Sequence, residues 1–235
     1  YTLSLLELMV LDNSHEWFLY SHRPLLHGQW NMQNVTVRTL FFPKWMKGLY
    51  FPWSQLVLPL WVKHDNIDLF WSPAHRLPRH LSKSVASVVT IHDLVWKRAP
   101  ETMKPIGRLL DAKFMPQAIS VADQVIAVSE STKRDVISEV PEAKDKVKVI
   151  YEANSLFNID CINSIKTDEN YILFVGTLEP RKNLSRLIEA YAMLSESLRS
   201  KYSLMIAGGK GWGDENLDEI IDHFKIRKYV KILGY

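Results

Sequence analysis

The chain has 235 residues, 47% of them apolar and 23% charged, and a formal charge of +3. This is the composition of an ordinary globular protein, long enough for one large or two modest domains, and it excludes an intrinsically disordered chain. The small, scattered positive charge gives no footing for a nucleic-acid partner, and a lone cysteine, Cys161, excludes an internal disulfide framework and fits a reducing compartment.

No signal peptide is visible, and the longest apolar run, 51–62, is too short to span a bilayer. Tyr1–Leu11 is apolar on nearly every face with no cap in front, the pattern of a buried helix. Trp17–Ser21 and Val35–Leu40 read as strands separated by a His/Pro/Gly/Gln loop. The stretch 41–64 interleaves Trp45, Trp53 and Trp61 with Lys44, Lys47 and Lys63. That spacing suits a core helix with its flanking loop, and it also suits a peripheral contact with a membrane interface. Ile67–Ser72 is a short strand ending at Pro73.

Val85–Ile91, VASVVTI, is a β-branched run suited to a buried strand. It delivers His92 and Asp93 at its C-terminal end, where open α/β sheets place their ligands. His92 is therefore the candidate catalytic side chain and Asp93 a loop candidate beside it, although a histidine there also fits a structural role. A helix over Met103–Val121 is expected to be interrupted near Pro116. Gln124–Val128 is a strand, and Ser129-Glu130-Ser131-Thr132 opens a helix running to about Val140. This Ser/Thr-rich start either caps the helix or turns backbone N–H groups toward a ligand, which makes Ser129 another candidate. Val147–Tyr151 is the last strand of this half, and Asn154–Asn170, rich in Asp, Asn and Ser, reads as a linker.

Tyr171–Val175, YILFV, is a compact apolar run that reads as a buried strand. Gly176 ends it, and Thr177-Leu178-Glu179-Pro180 makes a turn. Asn183 stands as a candidate N-cap for an amphipathic helix carrying Leu184, Leu187, Ile188, Tyr191 and Leu194 on one stripe. Arg181 and Lys182 fall just ahead of it. Two fixed cations in front of an electropositive helix start form a site for a multiply charged anion, though both also fit as solvated surface charges. Ser203–Ala207 is the next strand, followed by Gly208-Gly209-Lys210-Gly211-Trp212-Gly213 and a helix from about Asp214. These glycines do not spell the dinucleotide fingerprint, follow the second strand of their half, and lack a placeable ribose-binding acid. A dinucleotide-dependent oxidoreductase is therefore disfavoured, and no G-K-[ST] triplet supports a Walker A loop. Val230–Leu233 begins a further strand.

FVGTLEPRKNL resembles the donor-phosphate loop of family 4 retaining glycosyltransferases, whose GT-B fold consists of two Rossmann-like domains facing a cleft. TIHDL, ADQVIAVSESTKRD and AGGKGW are similar to other segments of the same family. The likeness is strong over 85–140 and 171–213 and weak over 15–80. It implies an α/β chain with an acceptor-side Rossmann-like domain over 1–153, a linker over 154–170, and the N-terminal part of a nucleotide-sugar-binding domain over 171–235. It implies that Arg181 and Lys182 hold the donor diphosphate and that His92 lies against the donor sugar. Asp93, Ser129, Gly176 and Thr177 become the loop candidates around the cleft.

The implied reaction moves a hexose, mannose for preference, from GDP-mannose or a UDP-hexose to a glycan or lipid-linked acceptor, with retention and without a cofactor. No D-x-D pair occurs, which leaves fixed cations and helix dipoles to absorb the leaving-group charge. A cytoplasmic protein, peripheral at the inner face of the membrane through 41–64, is the implied setting. A non-catalytic remnant or nucleotide-binding module on the same fold is the competing reading. The family's paired glutamates would lie beyond Tyr235, and its first strand and acceptor loop before Tyr1. The expectation is therefore of a native chain longer at both ends, with 1–235 alone insoluble or molten through unpaired inner strand edges.

Overall fold

The computed structural model describes residues 1–22, 24–25, 30–41, 50–153, 170–211 and 216–234. The chain divides into two compact units, Tyr1–Asn158 and Ile159–Tyr235. The linker expected over 154–170 lies outside the described residues except for Asn170, as do Cys161, Trp45, Lys44 and Lys47.

The first unit runs α1 (Thr2–Met9), β1 (Trp17–Ser21), β2 (Val35–Thr39), α2 (Tyr50–His64), β3 (Leu69–Ser72), β4 (Ala86–Ile91), α3 (Val95–Arg98), α4 (Pro105–Val121), β5 (Gln124–Ala127), α5 (Glu130–Glu139) and β6 (Val147–Val149). Strands β3-β4-β5-β6 form a parallel sheet in that order, and β1 and β2 pair in parallel as a separate ribbon. Parallel neighbours need crossover connections, and the helices that supply them cover the sheet. The β-branched character of the strands has a direct purpose: Val89, Val125 and Val147 stand opposite one another across three strands, and all are buried. Met115 and Ile119 of α4, Val136 of α5 and Val62 of α2 close over that layer.

Two expectations change here, and one of two alternatives gains support. The helix of the first residues is not enclosed: none of its side chains is buried, and Leu8 is 69% exposed. Only Val10, just past its end, is sealed in, its carbonyl held by the Asn34 amide at 3.1 Å. Pro116 does not interrupt α4. The missing N–H costs a hydrogen bond, but Phe114, Met115, Ala118 and Ile119 are buried on both sides of the proline and hold the helix through it. In the stretch 41–64, Trp53 is a core residue and Trp61 packs beside it with ring centroids 5.9 Å apart, so both tryptophans of α2 face inward, as a core helix requires. Leu56 and Leu60 of the same helix are exposed.

The ribbon of β1 and β2 is tied to the end of α2 by one carboxylate. Asp65, its side chain only 2% exposed, accepts from the Tyr20 hydroxyl at 2.8 Å and from Arg38 Nε at 2.6 Å, and pairs with a second Arg38 nitrogen. The Arg38 hydrogen bond holds the Asp65 carboxyl below its ordinary value, and burial pushes the Tyr20 hydroxyl up.

The second unit runs β7 (Tyr171–Val175), α6 (Leu184–Ala192), α7 (Glu196–Lys201), β8 (Ser203–Ala207), α8 (Leu217–His223) and β9 (Val230–Gly234), with a parallel sheet ordered β7-β8-β9. Leu204 and Ile206 of the central strand are fully buried against Leu184, Ile188 and Tyr191 of α6 and Ile221 of α8. The buried Tyr191 hydroxyl donates to the Tyr202 carbonyl at 2.8 Å, so its polar end is satisfied. Contrary to the expectation of a buried strand, β7 is largely exposed, and Val175 reaches 72%. It is an edge strand of the described sheet, and of its five side chains Phe174 packs on the core.

Candidate functional site

In the second unit the candidate site forms where the three parallel strands end. Each ends at a glycine in an unusual backbone conformation, Gly176, Gly208 and Gly234, with φ of 157°, 154° and 76°. The Gly176 N–H donates to the Ala207 carbonyl at 2.9 Å, and the Gly208 N–H to the Gly234 carbonyl at 2.7 Å. The strand ends are so close that a Cβ on Gly208 would fall 1.9 Å from the Gly176 carbonyl oxygen. Beyond them the two loops remain zipped together: Leu178 N–H bonds to Gly209 O at 3.0 Å, and Gly211 N–H to Leu178 O at 3.0 Å. A Cβ on Gly211 would lie 2.6 Å from that same Leu178 oxygen and 2.9 Å from the Thr177 methyl. The glycine-rich segment is thus filled by the backbone of the neighbouring loop, which explains its spelling without a dinucleotide.

This zipper holds the segment that carries the cations. Pro180–Lys182 forms a single 3₁₀ turn, closed by Lys182 N–H to Glu179 O at 2.9 Å and by Asn183 N–H to Pro180 O at 3.0 Å. Asn183 does not cap α6 as expected. It takes the left-handed conformation, φ 53° and ψ 46°, with no side-chain capping bond, and reverses the chain between turn and helix. Arg181 donates to Glu179 Oε1 at 2.8 Å, and Glu179 is mostly buried. One bond to Glu179 orients the guanidinium and leaves its other donors available. Lys182 forms no ion pair among the described residues. Its Cε lies 3.9 Å from where a Gly176 Cβ would stand, so its stem runs back over the end of β7. Gly176, Thr177, Arg181 and Lys182 are therefore assembled at one strand end.

In the first unit His92, Asp93 and Ser129 meet at the C-terminal ends of β4 and β5. The His92 ring is held at both nitrogens, with Nε2 2.8 Å from the Pro73 carbonyl and Nδ1 2.8 Å from Glu152 Oε1. It stands edge-to-face with Tyr1 at 4.9 Å and with His75 at 5.3 Å. Burial pushes the His75 imidazole below its ordinary value, and its buried Nδ1 has no hydrogen-bond partner among the described residues. Ser129 is the N-cap of α5: its hydroxyl accepts from Thr132 N–H at 3.0 Å, and the Thr132 hydroxyl donates to the His92 carbonyl at 3.0 Å. The capping role anticipated for Ser129 is what its side chain performs, and it anchors His92 through Thr132. Asp93 is exposed, and its Oδ1 accepts from Val95 N–H at 3.3 Å rather than from the His92 ring. Glu179, Glu152, Thr132 and His75 were absent from the candidates. Glu179 alone left a signal, as an acid two residues ahead of Arg181.

Two α/β units, each built on a parallel sheet, define the fold class of the GT-B glycosyltransferases. The family model described as Glycosyltransferase Family 4 matches residues 11–153, and the chain belongs to that family. A second model, Glycosyl transferases group 1, matches residues 158–235. The chain is 25% identical over 185 residues to O-antigen chain mannosyltransferase B of Escherichia coli, covering 74% of this chain and 48% of that protein. It is 32% identical over 124 residues to an uncharacterized glycosyltransferase of Methanocaldococcus jannaschii, covering 48% of this chain and 31% of the relative. The chain thus spans about half or less of the length of these relatives. Among solved structures it is similar to WaaG, a glycosyltransferase involved in lipopolysaccharide biosynthesis, with TM-score 0.66, 16% identity, and coverage of 98% of this chain and 65% of that one. Anabaena HepE in complex with UDP and glucose gives TM-score 0.55 and 17% identity, covering 99% of this chain and 65% of that one.

Proposed function

We propose that the chain carries the donor-diphosphate site and the sugar-side histidine of a retaining glycosyltransferase. It would move a hexose, with mannose favoured, from GDP-mannose or a UDP-hexose to a glycan or lipid-linked acceptor. The observation that carries this reading is the 3₁₀ turn of Arg181 and Lys182, fixed over the end of β7 by the loop zipper. The relatives support the sugar, since one is an O-antigen chain mannosyltransferase of Escherichia coli and a structural neighbour holds UDP and glucose. Peripheral contact with the inner face of the membrane through 41–64 belongs to the same proposal, supported by the exposed Leu56 and Leu60 of α2.

The chemistry asks for charge absorption. Breaking the anomeric bond leaves a nucleoside diphosphate whose negative charge grows in the transition state, and preorganised cations stabilise it most. Arg181 suits a bidentate grip on phosphate oxygens, and Lys182 supplies a compact point charge. In this reading a diphosphate takes the donors of Arg181 that Glu179 leaves available. His92, at the end of β4, serves the donor sugar.

The test is calorimetric binding of GDP, UDP and the matching nucleosides to the native chain and to Arg181→Ala/Lys182→Ala. Each charge-assisted contact is worth about 1.5–3 kcal/mol, so diphosphate affinity falls roughly 10-fold to 100-fold per residue. Nucleoside affinity stays nearly constant. Equal losses for both ligand classes would refute the assignment.

A further inference from the structure

His92 has two ring nitrogens and two neighbours that accept hydrogen bonds. The Pro73 carbonyl, 2.8 Å from Nε2, can only accept, so Nε2 carries a hydrogen. Glu152 Oε1 stands 2.8 Å from Nδ1, and an ionised carboxylate also only accepts. Both bonds are satisfied together when both ring nitrogens bear hydrogen. Burial pushes the adjacent His75 imidazole below its ordinary value, so no second cation is favoured against the ring. Glu152 lies three residues beyond β6, in the stretch leaving the four-stranded sheet, and its side chain is 43% exposed, so it is no part of the core.

We propose that Glu152 is a positioning residue for His92, fixing the ring through Nδ1 while the Pro73 carbonyl holds Nε2, so that both nitrogens carry hydrogen at the end of β4. A ring pinned at both ends cannot rotate about its Cβ–Cγ bond, and its orientation at the strand end is fixed. With both N–H groups bonded within the protein, a donor sugar meets the carbon edge or face of a ring held in one orientation. That last step rests on the transfer reading above; the pairing of Glu152 with His92 does not.

The experiment separates the two. Ring nitrogen-15 NMR of the histidine-labelled full-length protein near neutral pH, with the His92 signals assigned from His92→Gln, reports which nitrogens bear hydrogen. The native chain is expected to show hydrogen on both His92 nitrogens. In Glu152→Gln the amide can donate to Nδ1, and only Nε2 keeps its hydrogen, while the backbone amide spectrum stays native. A native His92 with a single protonated nitrogen overturns the proposal, and so does a Glu152→Gln ring spectrum identical to the native one. In a nucleotide-sugar transfer assay the same variant loses kcat by about 10-fold or more with donor KM nearly unchanged, as for loss of a partner that orients a histidine. A changed ring spectrum with undiminished transfer would remove His92 from the reaction and leave Glu152 as its positioning residue.

Discussion

At the scale of single residues, the site depends on atoms that are missing from glycine. Gly208 sits between two strand ends, and its absent Cβ leaves the room that the Gly176 carbonyl occupies. In Gly208→Ala the nearest atoms at 1.9 and 2.7 Å belong to backbone, which cannot rotate away like a side chain. The strand ends must separate, at a cost of about 2–3 kcal/mol by the measure of overpacked interiors. Because the displaced carbonyl begins the loop that carries Arg181 and Lys182, diphosphate affinity is expected to fall along with the denaturant midpoint. A variant with native midpoint and native affinity would show that the close approach is not needed. Such a role is not legible in the spelling alone, where Gly208-Gly209-Lys210-Gly211 looks like a ligand-binding loop. Arg181 and Lys182 were legible because their position follows from chain order. The left-handed turn at Asn183 and the pairing of His92 with Glu152, sixty residues apart, were not, since neither leaves a local pattern.

At the scale of elements, β-branched runs and capping residues carried most of the information. The strands from Trp17, Tyr171 and Ser203 begin where alternation or apolar runs place them, and Ser129 caps α5 as its residue type demands. What sequence pattern could not supply was burial. The run at β7 is as apolar as a central strand, but its place at the edge of the described sheet decides its exposure. Pro116 shows the opposite case, a local breaker overruled by four buried neighbours. The same helix offers a test in the stabilising direction. Gly107 lies in the first turns of α4, has nothing within 4 Å of an added Cβ, and does not adopt a positive φ. Gly107→Ala removes unfolded-state freedom without a clash and is expected to stabilise the protein by about 0.5 kcal/mol or slightly more. Chemical denaturation at equilibrium measures it, and a loss of stability would mean that α4 is not a regular helix at that position.

At the scale of the whole molecule, the two units differ in how they use carboxylates, and that difference predicts their response to acid. In the first unit Asp65 is almost fully enclosed among Tyr20 and Arg38, and Asp123 accepts from both the backbone and hydroxyl of Ser87 at 2.7 and 2.8 Å. Hydrogen bonds to the charged form hold both below the ordinary value of 3.8. A depressed carboxyl contributes stability that is complete above its unfolded value and is lost as pH falls toward its folded value. The first unit therefore loses stability below about pH 4. The second unit's lowered carboxylates are exposed: Glu196 is held down by the Tyr229 hydroxyl and then Lys228, and Asp222 by Arg227, and on the surface water and salt screen the ionic part. All but Trp212 of the eight tryptophans lie within the first 96 residues, so tryptophan fluorescence reports the first unit almost alone. Acid titration followed by fluorescence should show loss of the first unit's signal near and below that pH, insensitive to moderate salt. Tyr20→Phe keeps the ring against Trp61 and removes one bond to a charged acceptor, worth about 1.5 kcal/mol at neutral pH. Its stability curve should lie below the native one near neutrality and converge toward it in acid, because the bond it lacks is the one that protonation of Asp65 weakens. Parallel curves over the whole range would place the acid sensitivity elsewhere than at Asp65.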